Sequence, residues 1–247
     1  MSLLILYAHF HPDATVSEHT FYTLNKLKKA KGTLCFVSSS PIQDQAVLSR
    51  LKSLCSEIVF CENIGYDFYS WKQGVNRYRN EIGSHYTEVL FINSSIIGPF
   101  YGFKTYLRRL MAVEADLTGA ILSFQIERHI QSFLFLYHQK ILKDPAFLQF
   151  WDSIVPINDR QKVIDTYEFG LTRFFEKAGF TVSGLYHGND RRNHTIRSPF
   201  RLFFHGCPFV KIKLLTPQRL KNNVILFRLV LRLSNWWIPR LPDFRRP

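Results

Sequence analysis

The stretch Leu3-Leu-Ile-Leu-Tyr-Ala8 is apolar at every position, and His9-Phe-His-Pro-Asp13 closes it. A strand with one wet face alternates apolar and polar residues. A strand covered on both faces of a parallel sheet does not. The run therefore predicts a central buried strand whose carboxyl end opens into the His9–Asp13 loop.

The following residues repeat the pattern. Ser17–Lys29 predicts a helix, with Ser17 as N-cap and a lysine-rich end. Thr33–Val37 is a second strand, and Ser38–Pro41 turns the chain into a helix over Gln43–Leu54. Glu57–Cys61, Asp67–Arg79 and Glu88–Ile92 continue as strand, helix and strand. Short connections of this kind favour right-handed crossovers, which give an α/β fold with a mostly parallel sheet and helices on both faces. Ligands of such sheets bind at the carboxyl ends of strands, which singles out the loops after strands one, three and four. Further on, Gly119–Phe124, Ser132–Tyr137 and Thr181–Leu185 read as strands. Phe147–Trp151 reads as a short helix, and Asp159–Ala178 as a long one ended by Gly179. With no linker rich in Pro, Gly or Ser, residues 1–215 are expected to form one domain and residues 216–247 a basic amphipathic tail.

The chain of 247 residues is 46% hydrophobic and 15% aromatic, which supplies a core and excludes disorder. Its net charge of +13 is unevenly placed. From Asp190 onward 13 Lys/Arg face 2 Asp/Glu, so that segment carries +11 and the first 189 residues only +2. A basic segment of this kind suits a polyanion, either nucleic acid or anionic lipid; a solvated basic face is the plain alternative. In Val224–Ile238, Arg228 and Arg232 are four apart and share a helical face, with Trp236 and Trp237 at the far end. The segment is too short and too charged to span a bilayer. It predicts a helix lying on an anionic membrane surface, unless it packs on the protein's own core. Met1–Phe10 lacks a basic start and a cleavage site, and there is no run of about 20 apolar residues. A cytoplasmic, peripheral placement is the expectation. Cys35, Cys55, Cys61 and Cys207 fit no zinc spacing and read as reduced thiols, most of them in the core.

Three segments together resemble the rhamnan synthesis protein F family. Asn63-Ile-Gly-Tyr-Asp-Phe-Tyr-Ser-Trp71 is similar to its Asn-x-Gly-x-Asp-Phe-x-x-Trp pattern. Val89-Leu-Phe-Ile-Asn-Ser-Ser-Ile-Ile-Gly-Pro99 is similar to its Asn-Asp-Ser-x-x-Gly-Pro segment, and Pro208-Phe-Val-Lys211 to its Pro-Phe-x-Lys ending. His129-Ile-Gln-Ser132 and Phe150-Trp151 also fit. The resemblance implies a GT-A-like sheet and a glycosyltransferase. Such an enzyme moves a sugar, often rhamnose, from a nucleotide-sugar donor to a cell-surface glycan whose acceptor is usually lipid-linked.

Under that resemblance His9, His11 and Asp13 lie near the nucleotide. Asn63 and Gly65 follow strand three, where Gly permits close backbone approach and Asn can bond a base or ribose. Tyr66 is the stacking candidate, whereas Trp71 reads as core. Asp67 opens a helix, where a carboxylate is favoured; the plain alternative is a cap. Asn93, Ser94 and Ser95 end strand four, where GT-A enzymes commonly hold a metal-binding Asp-x-Asp. Mg²⁺ and Mn²⁺ prefer carboxylate oxygens, and this triplet has none, so hydroxyls, amides or cationic side chains are expected to meet the diphosphate. A turn satisfying its own backbone is the plain reading of the triplet. Glu168 is the first choice as general base and Asp67 the second, with a surface helix acid as the plain alternative for Glu168. His129 is placed on phosphate or acceptor, with a satisfied structural histidine as the plain alternative, and Gln131 is read as substrate-binding.

Two rival functions follow from other features. The opening strand and His9–Asp13 resemble flavodoxin-like, FMN-dependent NAD(P)H oxidoreductases, and Ala-His-x-x-Pro-Asp touches on zinc sugar deacetylases, though Ala14 stands where a second acid is needed. Arg191, Arg192, Arg197 and Arg201 among Phe200, Phe203 and Phe204 suggest a nucleic-acid binder but match no standard module.

Overall fold

The structure, a computed structural model, describes residues 2–188, 191 and 193–215. The amphipathic tail segment expected to lie on a membrane, with Arg228, Arg232, Trp236 and Trp237, falls outside the described residues.

The four apolar runs form strands β1 (Leu3–His9), β2 (Thr33–Ser38), β3 (Glu57–Phe60) and β4 (Glu88–Asn93). The helices between them are α1 (Glu18–Lys28), α2 (Gln45–Leu54) and α3 (Tyr66–Arg77). A two-residue strand β5 (Ile96–Ile97) and helix α4 (Phe103–Met111) follow. Then come β6 (Leu117–Ser123), β7 (His129–Ile130), β8 (Leu134–His138), α5 (Gln139–Leu142) and α6 (Pro145–Ser153). A helical stretch divides into α7 (Arg160–Val163), a π turn over Ile164–Glu168, and α8 (Phe169–Lys177). The described chain ends through β9 (Val182–His187), α9 (His194–Arg197), α10 (Pro199–Phe204) and β10 (Val210–Lys211).

The sheet runs β3-β2-β1-β4-β8-β6, with β7 and β9 also on β6. Pairs β1–β2, β2–β3, β1–β4 and β6–β9 are parallel. Strand β8 is antiparallel to both β4 and β6, and β7 is antiparallel to β6. This order overturns the flavodoxin-like expectation. That fold places β1 between β2 and β3, whereas here β1 lies between β2 and β4 and β3 is at the edge.

Alternate residues of each strand feed two cores. Leu4, Leu6, Val37 and Phe91 face α3, α6 and α8, where they pack with Phe68, Trp71, Trp151 and Phe175. Leu3, Ile5, Phe36 and Leu90 face α1, α2 and α4, packing with Phe21, Leu24, Leu51 and Leu107. Trp71 is fully buried, and its indole N–H lies 3.2 Å from both the Leu6 and the Ile92 carbonyl oxygens, tying α3 across β1 and β4. Cys35, Cys55 and Cys207 are buried.

Local signals hold with two corrections. The Ser17 hydroxyl does not cap α1; it bonds His19 Nε2 at 2.9 Å and Thr20 Oγ1 at 3.0 Å instead. Helix α2 is capped by Asp44, whose carboxylate accepts from Ala46 N and Val47 N. Among the described residues no helix is long and apolar enough to cross a membrane.

Candidate active site

The carboxyl ends of β1 and β4 open into a cleft of about 1360 Å³. Its floor and walls come from the loop after β1, the start of α3, the end of β4, the residues around β7, the π turn and β10. His9, His11, Asp13, Tyr66, Asp67, Asn93, Ser94, Ser95, His129, Gln131 and Glu168 all line it. Asn63 and Gly65 do not. Gly65 serves the backbone at the start of α3, where a Cβ would meet that of Tyr69 at 2.6 Å.

Segments distant in sequence meet here through hydrogen bonds. Asn93 Nδ2 donates to Asp67 Oδ2 at 2.7 Å. Asn93 Oδ1 accepts from Ser95 N at 3.1 Å and Ser95 Oγ at 2.5 Å, an Asx turn that also aims the amide at Asp67. Lys211 Nζ donates to Ser95 Oγ at 3.0 Å and lies 4.6 Å from the Phe133 ring centroid. Strand β10 holds Lys211 there by pairing with β5, Lys211 opposite Ile96. Gly98 lets this segment close, because a Cβ on it would meet the Pro208 carbonyl oxygen at 2.4 Å. The end of the Val89–Pro99 motif thus packs on the start of the Pro208–Lys211 motif.

The charges are unevenly buried. Burial raises the Asp67 carboxyl to about 6, against the pull of Lys211 and the Asn93 bond. Burial also lowers the Lys211 ammonium to about 8, against Glu168 and Asp67. Glu168 ends the π turn, a distortion often found at functional sites. Its Oε1 accepts from Ser132 N at 3.3 Å and lies 3.9 Å from His129 Nε2. His129 Nδ1 faces the Glu127 carbonyl at 2.8 Å, which assigns the proton to Nδ1 and leaves Nε2 toward the cleft. His9 is 2% exposed and bonded through Nδ1 to Ser38 Oγ at 3.0 Å. Burial, with His11 and His19 adding to it, depresses it to about 3, so it is a neutral wall rather than an anion-binding cation.

Two further features prepare the cleft for a ligand. Tyr66, 43% exposed, holds a left-handed backbone at φ 53° that costs an L-residue about 1–2 kcal/mol. Gln131 is 4% exposed; its Nε2 donates to Asn193 Oδ1 at 3.3 Å while its Oε1 is buried with no partner among the described residues. An orphaned acceptor in a cleft calls for a donor from a ligand or a water.

A divalent metal fits this site poorly. The Asn93–Ser95 triplet has no carboxylate. Among the described residues no three His, Cys, Asp or Glu side chains converge as a metal-binding group. The Lys211 ammonium on Ser95 would also repel a dication there. In the sequence Lys211 is marked only by its motif, and nothing marks Arg160 and Lys213, which also line the cleft.

The sequence profile of the rhamnan synthesis protein F family matches residues 34–235. An uncharacterised protein, y4gN, of Sinorhizobium fredii is 29% identical over 146 residues, 58% of this chain and 38% of that protein. A protein named virulence protein VirA of Vibrio anguillarum is 30% identical over 170 residues, 67% of this chain and 53% of that one. The matched region thus spans about half or less of these relatives' lengths. Among solved structures, a 4-diphosphocytidyl-2C-methyl-D-erythritol synthase from Anaerococcus prevotii aligns with TM-score 0.48 and 11% identity, over 82% of this chain and 95% of that one. A glycosyltransferase involved in glycosylation of the PBCV-1 major capsid aligns with TM-score 0.46 and 12% identity, over 86% and 94%.

Proposed function

The chain belongs to the rhamnan synthesis protein F family, and from that premise we propose that it is a glycosyltransferase of surface-polysaccharide assembly. The donor is a nucleotide sugar, with rhamnose the first sugar to test, and the acceptor is a growing, lipid-linked glycan. The observation that carries this reading is the meeting of three separated motif segments at one cleft, as Asp67, Asn93–Ser95 and Lys211.

In this reading Glu168 is the general base. The acceptor oxygen bonds to C1 of the donor sugar as its proton passes to the Glu168 carboxylate. The bond from C1 to the diphosphate breaks, and its electron pair leaves on the nucleoside diphosphate. Tyr66 and the exposed Phe10 and Ile126 offer surfaces for a base or sugar ring. Gln131 Oε1 accepts from a ligand N–H or hydroxyl. Residues 1–215 form the catalytic unit, and the basic residues 216–247 hold it on the inner face of the membrane.

The test is incubation of the full chain with a panel of nucleotide sugars and a lipid-linked glycan acceptor, with mass spectrometry of the products. A glycosylated acceptor together with released nucleoside diphosphate is expected. If no nucleotide sugar is consumed and none raises the melting temperature, the reading falls.

A further inference from the structure

Lys211 is a half-buried cation that makes no direct ion pair. No carboxylate oxygen among the described residues lies within 4.0 Å of its Nζ, although Asp67 and Glu168 both line the same cleft. One of its three N–H bonds is spent on Ser95 Oγ, and the Phe133 ring lies near it. Taking an ammonium out of water is costly unless something of opposite charge meets it. The fold nonetheless places it deliberately: β10 and β5 pair only two residues each, and Ile212 N donates to Ser95 O at 3.0 Å beside them. Arg160 and Lys213 add positive charge to the same walls.

The position is as informative as the charge. Ser95 ends the segment after β4, where the nucleotide-sugar sites of carboxylate-built enzymes hold a divalent ion. Here that segment carries hydroxyls and an amide, and an ammonium stands on it.

We propose that Lys211 anchors the donor diphosphate, a protein-borne cation standing in for a divalent metal. Resting on the glycosyltransferase reading, the inference assigns Lys211 two tasks. It binds the diphosphate in the ground state with its two unspent N–H groups. It then offsets the charge that builds on the leaving oxygen as the bond to C1 breaks. Asp67 and Glu168 face it from α3 and the π turn and keep it protonated. Arg160 and Lys213 face it from α7 and the residues after β10 and favour loss of its proton.

The experiment is titration calorimetry on the full chain in EDTA, with UDP, GDP, dTDP and inorganic pyrophosphate as probes and the matching nucleosides as controls. Wild type is expected to bind a nucleoside diphosphate without added metal, with affinity falling as pH rises through about 8. Lys211→Met should bind diphosphates roughly ten- to a hundredfold more weakly, the worth of a charge-assisted contact, with nucleoside binding unchanged. Lys211→Arg should restore binding and remove the fall near pH 8. Melting curves of both variants establish that they fold. If Lys211→Met binds diphosphates as wild type does, or wild type binds them only with Mg²⁺ or Mn²⁺, the inference is overturned and the transferase reading stands. If pyrophosphate binds through Lys211 but no nucleotide binds better than pyrophosphate, the anion site stands and the transferase reading fails. Binding of none of the probes refutes both.

Discussion

Asp67→Asn should make the protein more stable while abolishing sugar transfer. The carboxyl of Asp67 titrates near 6 in the folded chain against 3.8 ordinarily, chiefly because it is buried. The folded state therefore holds this proton more tightly than the unfolded state does. The stability this confers is complete below pH 3.8 and is lost as pH rises to about 6. At neutral pH the ionised carboxylate costs up to about 3 kcal/mol, trimmed to about 2 by the solvent that reaches it. Asparagine carries no such charge, and its amide oxygen still accepts from Asn93 Nδ2. For a chain of this size about 2 kcal/mol is roughly 4–8 °C in Tm. Thermal melts of the two proteins at pH 4, 5, 6 and 7.5 should show no gain at the acid end and a full gain above 6. A gain independent of pH, or a variant less stable at pH 7.5, would refute the reasoning. Full transfer activity in Asp67→Asn would remove Asp67 from the mechanism.

Glu168→Gln preserves shape but not basicity and should lower turnover by roughly 10²–10⁴-fold; a loss within about threefold would transfer the role to Asp67. Gly98→Ala forces a Cβ against the Pro208 carbonyl at a φ of 140°, so it should detach the β10 segment. The expected readout is loss of diphosphate binding with a Tm drop of only a few degrees; unchanged binding would show that Lys211 does not depend on this contact. For the tail, the full chain should co-sediment with anionic vesicles and a chain truncated after Asn222 should not; equal behaviour would leave the tail without a membrane role.

Strands β1, β2 and β4 were legible because parallel strands covered on both faces read as near-continuous apolar runs, while β3, a half-buried edge strand, showed through its Ile58–Phe60 run. Helix α4 was not, although Phe103, Tyr106, Leu107 and Leu110 repeat at helical spacing. Its N-cap is Gly102 in the left-handed region, so no Ser, Thr or Asp announced the start. The two-residue strands β5, β7 and β10 are set by their partners and have no period of their own. The π turn likewise falls inside what reads as an unbroken helix over Asp159–Ala178. At the site, the loops after β1 and β4 were marked by polar residues following apolar runs. The Asn63–Trp71 motif mixed two kinds of position: Asp67 faces the cleft, while Gly65 and Trp71 serve backbone and core. Lys211 was hidden because its meaning depends on Ser95, 116 residues earlier in the chain.

That separation bears on biosynthesis. The sheet strands β1 to β4 leave the ribosome early and can pair by short-range crossovers, but the cleft lacks its ammonium until Lys211 has been made. A nascent chain holding the first 200 residues carries Asp67, Asn93 and Glu168 but not the ammonium that stands on Ser95. On the proposed reading, the order of synthesis keeps the cleft from engaging a diphosphate through Lys211 until translation has passed β10.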